Sequence, residues 1–575
     1  PAGPSRNTAP RAQPHMTQRR TLVLAVAPDD ATPDTHLMAG PWCFHGREDA
    51  FPDWDTRFTF GPDPYATGDE VAAAIDEANS YAISRIPDLG LRLGAHHGAD
   101  LPRDFWDLTL FPWLTLCCQM LHERQRRVQD MIRLWGNEEL DVPLLPGDCA
   151  FSFEDSHQFI LAGAQDQLFN WWVFSRILEP QLPAAWRAVH ADPVTRHSGA
   201  PAESGLRGLA RRLLYALPFP RIKGFSTLQS LAFSMALLGP RTCEDRTIPL
   251  AQLKGRMPVW RFEPDGIILP SIPRALCQQR LPRTVRQRRP RTRIVSVGSY
   301  HDDAYRMRVA LDRAAGARLV FIQHGGNYGH IRESAVVPYY EYRQHAFVTW
   351  GWTSHAPFRG NYVPLPHGQL DRIKDSHVDR TGALVLVGAE MSLLSYRLDS
   401  RPQALQWLDY RRDKARFLAA LPDHVRTSAL YRPYFQTMSG LDDAPWVLRR
   451  FADVGRCEGS LDEHMLGCRL LVLDHHGTTL ELAMAANTPT VLFWNPEHWR
   501  VGRETAAALA ELAAVGIHHA TPDAAAAHIC RIWPDVQGWW QSEPVQQARR
   551  NWCAQYAMTT PGSINGIWLD ALRGL

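Results

Sequence analysis

The 575-residue chain contains no run of 18 apolar residues, so no segment reads as a membrane-spanning helix. It contains no CxxC pair. Its ten cysteines (Cys43, Cys117, Cys118, Cys149, Cys243, Cys277, Cys457, Cys468, Cys530, Cys553) are scattered, which points away from a zinc site or a small disulfide framework and towards a reducing cytosol. An excess of charge is also missing. Lys and Arg number 62 against 60 Asp and Glu, leaving +2 with 24 neutral histidines, and this excludes a nucleic-acid footprint over the whole surface. P-loop, GxGxxG and GxSxG signatures are lacking, and no internal repeat is evident. Asp53-Trp54-Asp55 spells a DxD pattern, but it lies in a Pro-rich loop with no long strand before it, and it reads as a chance match.

What is present is enough chain for two to four domains, with 20 tryptophans and 43 prolines implying aromatic cores and irregular connections. Residues 1–18 read as a disordered extension in which Met16 is a candidate start. Arg19-Arg20 followed by Thr21–Ala27 resembles a short signal peptide, but Pro28-Asp29-Asp30 stands where a cleavage site belongs, so this run reads as the first strand. Further strands are expected at Arg293–Val297, Arg318–Gln323 and Ala346–Trp350, the last of the first half. Others follow at Gly382–Val387, up to about Tyr431, and at Leu470–Leu473 and Thr490–Trp494. Helices are expected at Asp69–Ile86, stopped by Pro87, and at Leu116–Trp135, Phe159–Leu178, Ala304–Ala315, Pro402–Ala420, Glu504–Val515 and Pro544–Ala557. This alternation predicts an α/β protein of two doubly wound Rossmann-like domains, residues 19–370 and 371–575, facing a cleft at the carboxyl ends of their strands. Gly205–Gly224 breaks the pattern. Its Leu206, Leu209, Leu213 and Leu217 share a face beside Arg207, Arg211 and Arg212. With the seven arginines from Arg280 to Arg293, it reads either as an anionic-lipid surface or as an ordinary surface helix and solvated linker.

Cys468–Trp494, CRLLVLDHHGTTLELAMAANTPTVLFW, is the most informative stretch. The apolar run Leu470–Leu473 suits a strand buried on both faces. It ends at Asp474 in the polar loop His475-His476-Gly477-Thr478-Thr479, and a helix with Glu481 in its first turn follows, broken at Asn487-Thr488-Pro489. Such a loop leaves backbone N–H groups for an anion, with Glu481 placed to accept from ribose hydroxyls. The alternative is a plain crossover with a solvated Glu481. His475-His476 offers two metal-ligand side chains, but adjacent side chains diverge and no third ligand is visible.

A second loop, Gln323-His324-Gly325-Gly326-Asn327-Tyr328-Gly329, places a histidine at a strand end beside glycines that let substrate approach the backbone. His324 reads as a proton-transfer group or as a structural strand-end histidine, and Glu341 as its orienting carboxylate or a solvated loop acid. Arg432, in Tyr431-Arg432-Pro433-Tyr434, reads as a phosphate clamp aimed at the Asp474–Thr479 loop, or as a surface arginine before a strand-ending proline.

Taken together, Leu37–Phe44 (LMAGPWCF), Gln165–Asn170 (QDQLFN), Gln323–Gly329 (QHGGNYG), Glu341 with Phe347–Trp352 (FVTWGW), Tyr431–Tyr434, Asp474–Glu481 (DHHGTTLE) and Asn487–Pro489 resemble a family of transferases of bacterial O-antigen and surface-carbohydrate loci. The resemblance runs from about residue 20 to the last helices. It implies a glycosyltransferase of GT-B architecture, working in the cytoplasm or peripherally at the inner face of the plasma membrane. The C-terminal half is more distantly similar to Kdo transferases and CDP-glycerol glycerophosphotransferases, with Arg432-Pro433 in place of His-Pro and the Asp474–Thr479 loop in place of Asp-Tyr-Ser-Ser. These departures leave the nucleotide open. The resemblance implies a nucleotide-sugar donor, such as a CMP-linked ulosonic acid, held by Arg432, Asp474, His475, Gly477, Thr478, Thr479 and Glu481. It places a glycan or lipid-linked acceptor near Gly325, Gly326, Asp166 and Asn170, with His324 and Glu341 catalytic, and no metal or other cofactor is expected. A CDP-polyol phosphotransferase and a non-catalytic nucleotide-binding scaffold are the alternatives.

Overall fold

The computed structural model describes residues 19–193, 221–237, 244–287, 291–389, 392–400, 406–434 and 441–575. The expected 1–18 extension, most of the Gly205–Gly224 segment, and Arg288 and Arg289 of the arginine run lie outside them. The expected α/β architecture of Rossmann-like parallel sheets is the one adopted. Among the described residues no helix is long and apolar enough to cross a membrane.

The first sheet holds β1 (Arg20–Val23), β2 (His36–Met38), β3 (Leu140–Leu144) and β4 (Trp186–His190) in the order β2-β1-β3-β4. The second runs β5 (Thr292–Val295), β6 (Arg318–Ile322), β7 (Ala346–Thr349) and β8 (Tyr362–Pro364) in sequence order. The third contains β9 (Leu384–Val387), β10 (Ala429–Arg432), β11 (Gly455–Arg456), β12 (Leu470–Leu473), β13 (Thr490–Phe493) and β14 (His518–His519), ordered β11-β10-β9-β12-β13-β14. Counted from its own first strand that order is 3-2-1-4-5-6, the Rossmann winding, with its switch point between β9 and β12. Those strands pair in register as far as Leu473 and Val387, which brings Asp474 and Gly388 side by side at the crevice. β9, β12 and β13 are buried along their whole length, as their unbroken apolar runs require.

The first half departs from expectation in several places. The helix expected to stop at Pro87 runs from Gly68 to His97. Its second part buries Leu89, Gly90, Leu93 and Gly94, and a Cβ at Gly90 would come within 2.8 Å of Trp106, so close packing on the next helix outweighs the lost hydrogen bond. That next helix begins at Arg103 rather than Leu116 and also contains a proline, Pro112. Its first turns are buried on nearly every side, which erases the amphipathic period. The single helix expected over Phe159–Leu178 is instead a π-turn, Ile160–Ala164, followed by a helix from Gln167 to Leu178. β8 extends the second sheet beyond β7, the expected last strand. The chain finally returns to the second sheet, where the helix Ile564–Arg573 buries Trp568 against Phe225 and Phe233.

Candidate active site

The loop after β6 is aimed by its flanks. Gln323 is buried, with its side-chain oxygen accepting from the backbone N–H of Trp350 (2.9 Å) and the indole N–H of Trp352 (2.8 Å). Its amide donates to the Gly325 carbonyl at 2.9 Å. The Thr349–Trp352 segment thus fixes the first residue of the loop and turns His324 out of the sheet. Lys223 holds the other side, its ammonium donating to the His324 carbonyl at 2.7 Å.

His324 lines a cavity of about 140 Å³ with Tyr300, Tyr328, Arg397, Asp399 and Ser156. The Tyr328 hydroxyl lies 3.0 Å from each ring nitrogen of His324, so either can pair with it, and it donates to Glu341 Oε1 at 3.1 Å. Glu341 is therefore connected to His324 through Tyr328, a residue not singled out in the sequence. One π-turn contributes Ile160 to this cavity, and another, Pro338–Tyr342, follows Val337 of its wall and carries Glu341. Such single π-turns recur at functional sites. Arg397 and Asp399 come from the segment after β9, with Arg397 Nε 3.3 Å from Asp399 Oδ1. The cavity thus draws on both halves of the chain.

Burial pushes the Glu341 carboxyl up to about 8, against hydrogen bonds from Tyr300 and Tyr328 that lower it. An unfolded glutamate ionises near 4.3, so between that value and 8 the folded chain keeps a proton that the unfolded chain has lost. Stability carried by this group is complete below the unfolded value and falls as pH rises through the folded one. Glu341→Gln should remove that slope. Relative to the parent, the variant gains stability from pH 5 to pH 8, by at most about 1.4 kcal/mol per pH unit, as urea titrations at both values would read. A difference independent of pH would mean that Glu341 is already ionised in the fold.

The loop after β12 meets the loop after β6 directly. The Gly326 N–H donates to Thr478 Oγ1 at 2.7 Å, and a Cβ on Gly326 would lie 2.5 Å from the Thr478 nitrogen and 2.8 Å from Glu481 Oε2. Only glycine permits this approach. Gly325 is less crowded, its nearest neighbour being Thr478 Oγ1 at 3.3 Å from a Cβ. The start of the helix Thr478–Ala486, capped by Gly477 without a side-chain bond, is therefore covered by the glycine loop rather than open as a phosphate cradle. Glu481 is 0% exposed and faces His330 at 3.5 Å, so it is turned from any ribose. His476 pairs with Asn327 Oδ1 at 2.7 Å and lies 2.6 Å from His330, a neighbour of ligand type from 146 residues away.

Other expected site residues prove to be supports. Asp474 is buried, its Oδ1 accepting from the Tyr410 hydroxyl (2.7 Å) and from His475 Nδ1 (3.0 Å). Asp166 caps the helix Gln167–Leu178 by accepting from the Phe169 N–H at 2.9 Å. Asn170 is fully buried, accepting from Arg124 Nε (2.7 Å) and donating to the Asp166 carbonyl (2.7 Å), so it cannot meet an acceptor. Arg432 does not adjoin the Asp474–Thr479 loop, because β9 separates β10 from β12. It lines its own cavity of about 340 Å³ with Tyr434, Asp442, Arg456, Cys457 and Glu458, and donates to the Cys457 carbonyl at 3.1 Å.

A Rossmann-wound sheet facing a second set of parallel strands, with a histidine cavity at the carboxyl ends between them, defines a ligand-cleft α/β protein. The sequence profile of the LIC12162 family transferases matches residues 20–572, so the chain belongs to that family and is a transferase. No curated protein matches the chain. Among solved structures it is similar to a mutant of the Thermobaculum terrenum O-GlcNAc transferase at 12% identity, over 87% of this chain and 83% of that one, with a TM-score of 0.28. A likeness that weak carries no argument.

Proposed function

We propose that this transferase moves a glycosyl group from a nucleotide-activated donor to a glycan acceptor, dividing the work as GT-B enzymes do. The observation that carries the reading is the His324 cavity, built by both halves and backed by Tyr328 and Glu341. An acceptor hydroxyl there would lose its proton to His324 as its oxygen bonds to the donor's anomeric carbon, and the bond to the nucleotide phosphate would break. Arg397, in the same cavity, would offset the charge developing on that phosphate. The nucleoside end of the donor is assigned to the cavity of Arg432 and Arg456, with Asp442 or Glu458 for its ribose hydroxyls. The segment after β9 links the two cavities in the chain, since it supplies Tyr396, Arg397 and Asp399 before β10 supplies Arg432.

The resemblance to surface-carbohydrate transferases extends the proposal to an O-antigen-type acceptor, with a CMP-linked ulosonic acid as the first donor to try and contact with anionic membrane. A thermal-shift panel of CMP, CDP, UDP, GDP and dTDP is the test. Stabilisation by one nucleotide, lost in Arg432→Ala and kept in His324→Ala, is the expected result. No shift with any of them would remove the donor assignment. Phosphorus found in the product alongside released CMP would mean phosphotransfer instead.

A further inference from the structure

Behind the glycine loop, three side chains from distant parts of the sequence converge where the halves meet. His330 follows the loop after β6, His476 follows β12, and Glu481 lies in the first turn of the next helix. Their nitrogen and oxygen atoms all fall within 4.8 Å of one another, and all three residues are buried. His330 Nδ1 faces His476 Nε2 at 2.6 Å and Glu481 Oε1 at 3.5 Å. We propose that His330, His476 and Glu481 form a binding site for a divalent transition metal, with zinc as the first candidate, that fastens the two halves together.

Hydrogen bonding alone accounts poorly for this cluster. His476 Nδ1 pairs with Asn327 Oδ1 at 2.7 Å, which makes it the donor and leaves the His476 Nε2 lone pair aimed at His330. A proton on His330 Nδ1 would satisfy that pair only. Both oxygens of Glu481 would stay without a hydrogen-bond partner, and Glu481 is 0% exposed. Unpaired polar groups in so dry a setting are costly and call for an ion or an equivalent partner. A divalent cation takes both facing lone pairs and gives the carboxylate an electrostatic partner.

The chemistry selects the metal. Two imidazoles and one carboxylate suit zinc, iron or cobalt, whereas magnesium and calcium favour all-oxygen sets. Three protein ligands leave one tetrahedral position for water. The His476–Asn327 bond is the outer-shell contact that fixes tautomer and ring orientation at metal sites. The backbone is set as well: the His330 carbonyl accepts from the Gly502 N–H at 2.7 Å, and the Arg332 N–H donates to the Arg500 carbonyl at 3.1 Å. Tyr556 packs on the His330 ring at 4.1 Å between centroids and Trp552 at 5.5 Å, closing the site to bulk solvent. One ligand comes from the second sheet's loop and two from the third sheet, so a bound ion cross-links the juncture that holds Gly326 against Thr478.

The full chain, untagged and made with added Zn²⁺, should keep about one equivalent of zinc through gel filtration. Cobalt in its place should give visible d–d bands. Stripping with a chelator should lower Tm by several degrees, restored by Zn²⁺ and not by Mg²⁺. Glu481→Gln should keep its circular dichroism but lose the metal and the chelator response. Less than about a tenth of an equivalent after zinc supply, with no cobalt band, overturns the proposal. Undiminished zinc in both Glu481→Gln and His476→Asn also overturns it, because the ion would then be held elsewhere. If Glu481→Gln does not fold, the cobalt spectrum of the parent chain decides alone.

Discussion

Alanine at His324 is expected to lower kcat by about 10²–10⁴-fold while donor-nucleotide binding stays unchanged, the range for losing a positioned general base. The separation follows from the layout. His324 lies in the cavity built with Tyr300, Tyr328 and Arg397, whereas the nucleoside is assigned to the separate Arg432 cavity. Fold stability should change little, because His324 is only half-buried and the loop is fixed through Gln323 and Gly326. Tyr328→Phe provides the graded companion. It keeps the stacked contact with Phe347, at 5.6 Å between centroids, but removes the hydroxyl between His324 and Glu341, so a smaller loss of kcat is expected. Steady-state kinetics beside nucleotide titrations read both effects. Equal loss of binding and turnover in His324→Ala would remove the catalytic role and leave a structural histidine.

How far the sequence revealed this arrangement depended on whether the deciding forces were local. The unit from Leu470 to Phe493 was legible because a strand buried on both faces must be continuously apolar, and because the loop and helix after it carry their own punctuation. The two long helices of the first half were only partly legible. Pro87 and Pro112 are local stop signals, overridden by tertiary burial that no window of sequence displays. His324 stood out in the sequence by the glycines after it, and Glu341 by its place before β7. Tyr300, Arg397 and Asp399 did not, since the fold alone brings them to His324. Glu481 illustrates the converse. Its position one turn into a helix matches a ribose ligand, yet Gly326 lies so close to that helix start that the carboxylate is sealed in. Asp166 and Asn170 show a related ambiguity: a cap and a buried amide are as specific in sequence as binding residues are.

Replacing Lys414 with methionine should cost about 3–5 kcal/mol of stability, the usual penalty for breaking a buried ion pair from one side. Lys414 is fully buried beneath the carboxyl ends of β9, β10 and β12. Its ammonium bonds to Asp443, donates to the Tyr431 hydroxyl at 2.7 Å and lies 3.7 Å from Asp474 Oδ2. Methionine fills similar space but leaves two carboxylates without the lysine cation, held by Tyr431 on Asp443 and by Tyr410 and His475 on Asp474. Asp443→Asn combined with Lys414→Met should recover part of the loss, because it removes one of the stranded charges. Urea unfolding of the three variants reads the cycle, and a loss below about 1 kcal/mol for Lys414→Met would show that the pair is not carrying the crevice. The effect should reach the site as well. Asp474 begins the loop that ends at Thr478, and Thr478 receives the Gly326 N–H, so loosening Asp474 frees the loop that holds His324 in place. Lys414→Met is therefore expected to lower turnover even at temperatures where it remains folded, whereas an arginine change on the exposed rim of the Arg432 cavity should alter nucleotide binding alone.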